Sequence, residues 1–195
     1  VSAVATIGAP LFAGPASLRR IVAPAVAVRF PRALHKRRFF FEGKRWSSAL
    51  YAGRRVLDVA ALPIPLRIWA PGSLEHDALA YTLKRSFADD SWAVFADLLE
   101  LAATDGARAG FLDADRRLYA LDRPLLVVAG DADDLAPPLG ARPLFERAAS
   151  RDKAYVEVGV DGAGVHAGHI DMLIGAVAPA HVWAPITRFF ERTLR

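Results

Sequence analysis

Apolar residues are distributed along this chain in two distinct patterns. One is the short, unbroken run. Leu125 to Ala129 is wholly apolar, opened by Pro124 and closed by Gly130, which predicts a strand buried on both faces, as in a parallel sheet. Ser2 to Ile7 is small and β-branched and stops at Gly8-Ala9-Pro10, and Ala154 to Val158 reads as a further short strand. The other pattern is helical spacing. Leu79 and Leu83 stand four apart. Trp92, Phe95, Leu99 and Ala102 follow the 3.6-residue period, with Asp90 or Ser91 as N-cap and Gly106 as the stop. Leu139 to Ala149 predicts a helix with Leu144, Phe145 and Ala148 on one side. At the end, Val182, Ile186, Phe190 and Leu194 recur every four residues with Trp183 and Phe189 alongside, and Pro185 should sit in the first turn or kink it.

The predicted order is strand, long helical insertion, strand, helix, strand, helix. This places the chain in the α/β class and divides it into a first sheet strand (1–10), a helical insertion (11–118) and a C-terminal sheet-and-helix part (119–195). No strand pair is expected between Leu11 and Leu118. The Pro63, Pro65 and Pro71 cluster separates the insertion into an earlier basic part and a later one. Three parallel-type strands need cover on both faces and at both edges. With Val rather than Met at position 1 and Met172 as the sole Met, the expectation is an excerpt whose N-terminal half lies elsewhere.

Composition narrows the classes. Apolar residues make up 53% and the mean hydropathy is +0.22, yet the most apolar region, Val1 to Val28, is broken by Gly8, Pro10, Gly14, Pro15, Arg19, Arg20 and Pro24. Neither a membrane span nor the basic front of a secretory signal is visible, so a cytoplasmic location is the expectation. Cys is absent, which excludes disulfides and thiolate chemistry. The net charge of +4 hides an asymmetry: residues 1–57 carry 11 Lys/Arg and one acid, the remainder 14 and 20. Most of the excess lies between Arg29 and Arg45, interleaved with Phe39, Phe40 and Phe41 and followed by Trp46. The expectation is a solvated face of a helix with its aromatics packed inward and no nucleic-acid groove; a membrane or lipid surface is the partner this stretch could otherwise meet.

Candidate chemistry gathers after the buried strand. Asp131, Asp133 and Asp134 follow Gly130 directly, at the strand end where α/β sheets collect catalytic groups. Downstream, GVHAGHIDMLIG places His166 and His169 at the start of another apolar run. A carboxylate and a later imidazole on such loops are two thirds of a nucleophile–His–acid arrangement. Asp134 could serve as the acid if the loop turned one residue further, while Asp131 suits loop backbone N–H groups. His166 and His169 as a metal pair lack a third nearby ligand, and Asp113 and Asp115 lack the further ligands of a calcium loop, so no metal is expected. No glycine-rich phosphate loop occurs, so no cofactor is expected either. Asp171 reads as a cap for the helix beginning there.

PLLVVAGDADDLAP resembles the acid-bearing strand and loop of the α/β-hydrolase family, in which the carboxylate lies three residues after the strand-ending Gly, and GHIDMLIG is similar to the histidine loop of its acid-lipase-like and polyester-synthase-like branches. AVATIGAP is similar to the strand after the nucleophile-bearing helix. The resemblance implies a partial α/β-hydrolase fold: the last strands of a mostly parallel sheet, a large helical cap at 11–118, Asp133 as catalytic acid and His169 as catalytic base. It departs at the nucleophile. None of the eight serines is flanked by Gly at both −2 and +2, so no Gly-x-Ser-x-Gly elbow occurs.

Two functions remain open. One is the C-terminal portion of a capped hydrolase acting on a small apolar ester or thioester, with the nucleophile outside this chain and the chain alone inactive. The other is a truncated, non-catalytic pseudoenzyme or a lipid- or partner-binding module using the basic-aromatic stretch.

Overall fold

A computed structural model describes residues 2–9, 40–41, 43–59, 67–85, 90–91 and 119–194. The helix expected around Trp92 to Ala102, the pair Asp113 and Asp115, and most of the basic stretch from Arg29 to Phe39 lie outside the described residues.

Three parallel strands form the centre: β1 (Val4–Ile7), β4 (Leu125–Gly130) and β5 (Lys153–Val158), in the order β1-β4-β5. Register runs Val4 opposite Leu125 and Leu125 opposite Lys153, so all three carboxyl ends emerge at one end. Strand β4 is central and every one of its six residues is buried. Its alternation explains why it is apolar throughout. Leu126 and Val128 pack into a cluster with Val158, Met172, Val182 and Phe189, whereas Leu125, Val127 and Ala129 face Ala141 and Ala148 on the opposite side. Each Leu or Val so placed contributes about 1.5–3 kcal/mol relative to exposure.

The helices supply those two covers. Helix α3 (Pro138–Arg147) packs Leu144 and Phe145 on the Leu125 side. The short helices α4 (Val160–Ala163) and α5 (Asp171–Ile174) precede the other cover, a π-helical turn over Pro179–Trp183 that runs into α6 (Ala184–Thr193). Pro185 sits in the first turn of α6, as expected. Having no N–H and a ring that crowds the preceding turn, it is accommodated by the wider π turn, where Ala184 N–H bonds the Pro179 carbonyl five residues back. Val182 is fully buried, and Ile186 and Phe190 pack on the same cluster. Leu194 departs from the expected stripe: it lies past the end of α6 and is 60% exposed.

Between β1 and β4 the described chain forms α1 (Gly43–Leu57) and α2 (His76–Arg85), joined by packing of Leu79 and Leu83 with Leu50, Tyr51, Leu57, Trp69 and Leu74. The expectation of no strand pair here needs correction. Phe40–Phe41 (β2) and Asp90–Ser91 (β3) form a two-residue antiparallel pair. Phe40 and Phe41 are therefore in a strand and not in a basic helix, and Asp90 and Ser91 are strand residues and not an N-cap. Two residues hold no periodicity, and the pairing joins positions roughly fifty apart, so local pattern carries no trace of it. Lys44 and Arg45 are exposed on α1. Among the described residues no helix is long and apolar enough to cross a membrane.

Candidate active site

The carboxyl ends of the three strands deliver the candidate residues to one place. After β1, the backbone turns at Gly8, whose φ is +53° and whose N–H donates to the Val128 carbonyl at 2.9 Å. After β4 comes Asp131-Ala132-Asp133-Asp134. After β5, α4 leads into the loop bearing His166 and His169.

Asp133 and His169 meet there. Asp133 Oδ2 lies 2.8 Å from His169 Nδ1, which leaves Nε2 as the ring nitrogen available for other chemistry. The carboxylate is held from its other side as well. Oδ1 accepts the N–H groups of Leu135 (2.9 Å) and Ala136 (2.8 Å), the local turn expected of an Asp that opens a loop. The Asp133 side chain is fully buried while that of His169 keeps 32% of its surface exposed, so the carboxylate is fixed and the imidazole is reachable. The hydrogen bond to Asp133 raises the His169 pKa above the usual imidazole value; burial opposes this and the carboxylate charge adds to it.

Asp131 takes a different role, close to the one its position suggests. Its oxygens accept the N–H groups of Ala167 (2.8 Å) and Val160 (3.2 Å), and Oδ2 also meets His166 Nδ1 at 2.7 Å. Burial pushes this carboxyl up, but the Ala167 N–H, the His166 ring and the Val160 N–H outweigh it and hold it below the ordinary range. The two imidazoles are thus bonded to separate carboxylates. His166, 65% exposed, lies at the rim of a cleft of about 550 Å³ bordered by Trp69, Pro71, Val160 and Val165. Asp134 is turned away from the imidazoles: its Oδ2 accepts the Arg67 backbone N–H at 2.7 Å. The alternative in which Asp134 serves as the acid partner is therefore not the one adopted.

Asp171 corrects another expectation. It opens α5 but makes no cap bond to that helix, whose N-cap position is Ile170. Fully buried, it binds Gly168, Ala70 and Ser73. Sequence reasoning missed Gly8 as a site residue. The ring of His169 and the carboxylate of Asp133 pack against it so closely that a Cβ at this position would lie 3.0 Å from His169 Nδ1 and 3.1 Å from Asp133 Oδ2. A Gly directly after a strand, beside two neighbouring strand ends that carry acid and base, was the available signal.

A parallel sheet covered on both faces, with acid and imidazole on loops after successive strands, defines a partial α/β-hydrolase fold. Solved structures agree on the fold. The chain is similar to a monoacylglycerol lipase of Paleococcus ferrophilus (TM-score 0.57, 16% identity), covering 98% of this chain and 59% of that one. It is also similar to a thermophilic esterase of Thermogutta terrifontis (TM-score 0.52, 14% identity), covering 98% of this chain and 56% of that one. The chain therefore spans somewhat under three fifths of the length of these structures. The sequence matches no family model and no curated protein.

Proposed function

We propose that Asp133 and His169 are the acid and base of an acyl-transfer site, completed by a nucleophile supplied from outside this chain. The observation that carries this reading is the 2.8 Å bond between Asp133 Oδ2 and His169 Nδ1. With Nδ1 so engaged, Nε2 accepts the proton of a nucleophile hydroxyl as its oxygen attacks the acyl carbon. The imidazolium, stabilised by Asp133, then protonates the departing alcohol or thiol, and water repeats the cycle to release the acid. Likeness to structures named as a lipase and an esterase favours an ester over a thioester and a small-molecule substrate; an apolar acyl part rests on the aromatic- and Leu-rich sequence of 11–118. By the same reading, residues 11–118 form the cap over this site.

No Gly-x-Ser-x-Gly elbow exists in this chain, so the donors that bind the oxyanion and the nucleophile itself must both be provided by a second segment. The test is to read the coding sequence adjoining this chain for such an elbow, produce the two together, and follow p-nitrophenyl butyrate hydrolysis. Turnover is expected, with loss in His169→Ala. Turnover that survives His169→Ala overturns the assignment of the base. An adjoining sequence without an elbow favours the non-catalytic lipid- or partner-binding reading.

A further inference from the structure

One buried carboxylate ties the histidine loop to a distant part of the chain. Asp171 Oδ2 accepts two backbone N–H groups, from Gly168 (2.6 Å) and Ala70 (2.7 Å), and Oδ1 accepts the Ser73 hydroxyl (2.6 Å). A second tie runs alongside, from Ile170 N–H to the Ile68 carbonyl at 2.9 Å. The residues on both sides of His169 are thereby fixed to the single stretch Ile68–Ser73. Contact is backbone to backbone, for a Cβ on Gly168 would lie only 2.7 Å from the Trp69 Cα.

Local helix chemistry does not account for this. Asp171 caps nothing in α5, and an ionised carboxylate with no exposed surface is costly unless its lone pairs are filled. Burial pushes its carboxyl up; the Ala70 N–H, the Ser73 hydroxyl and the Gly168 N–H act downward, and the nearby Asp133 charge adds to the rise. Three donors drawn from two segments about a hundred residues apart fill the carboxylate, and His169 stands in the chain directly between Gly168, which donates to it, and Ile170, whose N–H is tied to the Ile68 carbonyl.

We infer that Asp171 is a positioning residue for His169, setting the ring against Asp133 by clamping Gly168 to Ala70 and Ser73. This rests on the reading of His169 as the base, but its consequence is geometric. Without the clamp, Gly168 gains freedom, the ring no longer holds its place, and the bond to Asp133 is weakened.

Histidine Cε1–H resonances report this directly. The whole chain, with its five histidines, is titrated, and His169 is assigned by its absence in His169→Ala. Wild-type His169 is expected to titrate above the ordinary imidazole range, being bonded to Asp133 at 2.8 Å. Asp171→Ala is expected to return its midpoint to that range, with an unchanged circular dichroism spectrum reporting an intact fold. Asp171→Asn is expected to restore the raised midpoint. Its carbonyl can accept both N–H groups at the Oδ2 position, and its amide can donate to Ser73 Oγ, whose own hydroxyl also reaches the Ala70 carbonyl. A folded Asp171→Ala with the wild-type His169 midpoint, or an Asn variant no better than Ala, overturns the inference. If Asp171→Ala does not fold, Ser73→Ala decides: a smaller fall in the midpoint supports the clamp, and an unchanged midpoint overturns it. Titration requires no turnover, so a failure of ester hydrolysis and a failure of the clamp are read separately.

Discussion

The ring of His169 packs directly against Gly8, whose left-handed φ of +53° turns the chain at the end of β1. A β-carbon there would approach both Nδ1 and Cε1 of that ring to 3.0 Å. Gly8→Ala therefore meets two penalties at once, a backbone conformation that L-residues disfavour by about 1–2 kcal/mol and a ring that must shift by some tenths of an ångström. The expected outcome is a lower unfolding midpoint in urea together with a fall in the His169 titration midpoint. Ala9→Gly, one residue on, should leave the His169 titration unchanged. An unperturbed His169 in Gly8→Ala would show that the loop yields without cost.

Asp133→Asn separates orientation from folding. The Asn carbonyl can still accept the Leu135 and Ala136 N–H groups, so the loop turn should persist. Its amide would then face His169 Nδ1 and select the other tautomer, leaving the proton on Nε2. Under the proposed function, with the nucleophile-bearing segment present, this variant should lose about 10⁴-fold in kcat, the scale of a triad Asp→Asn substitution. Circular dichroism should be unchanged. A loss below tenfold would mean that Asp133 does not orient the base.

The pH dependence of stability follows from the same bond. Folding raises the His169 pKa above its unfolded value. Such a group contributes stability that is fully present below the unfolded imidazole value and is lost as pH rises through the higher folded one. The wild type minus His169→Ala difference in urea midpoint should therefore be larger at pH 5.5 than at pH 9. An equal difference at both values would indicate that the pair contributes only packing. Asp131 contributes in the opposite sense: its lowered carboxyl pKa gives stability present above the unfolded carboxylate value and lost as pH falls through the folded one.

Asp131 and His166 form the better test of which member of a pair matters. Asp131 also holds Ala167 and Val160 N–H groups, so Asp131→Ala leaves two loop donors unsatisfied and should cost about 1–3 kcal/mol by urea denaturation. His166 is an exposed partner whose removal should change stability by less than about 1 kcal/mol. If both substitutions cost the same, the imidazole and not the loop bonds is the stabilising element.

The legible parts of this protein are those where local pattern and tertiary role coincide. Strand β4 is buried on both faces, so its apolar run is its signature, and the stripe of Leu144 and Phe145 on α3, with Ala148 just past its end, follows from facing that strand. The Asp133–His169 juxtaposition was also legible, because the carboxylate and the imidazole follow adjacent parallel strands, with a helix and the second strand between them. Asp171 was not. Its position at the start of α5 imitates a cap, while its partners Ala70 and Ser73 lie 101 and 98 residues away. The β2–β3 pair was invisible for a related reason, since two residues are too few to alternate.

The remaining prediction concerns the side of β1 that faces away from β4. Among the described residues β1 pairs only with β4, and its four residues are half-buried without a charge or Pro to discourage pairing. Among the described residues the buried Thr6 hydroxyl of this strand has no hydrogen-bond partner, an arrangement that costs about 1–3 kcal/mol while it persists. Under the proposed function, the strand leading into the nucleophile elbow belongs along this edge. It would satisfy the open N–H and C=O groups and cover apolar surface worth ~25 cal/mol per Å². Several hundred Å² of such exposure is large against a stability of ~5–15 kcal/mol, so the chain on its own should self-associate through β1. Sedimentation should show concentration-dependent association that Ala5→Pro weakens: the Val4 and Gly8 N–H groups bond the Pro124 and Val128 carbonyls, so alternation turns the Ala5 N–H to the opposite edge, and Pro removes that donor. Ala5→Lys should weaken it less if Ala5 faces the Leu126 cluster, as its packing there indicates. Adding the elbow-bearing segment should abolish association and bring ester turnover together. A chain that stays monomeric at millimolar concentration and hydrolyses an ester by itself would overturn both the open edge and the missing nucleophile.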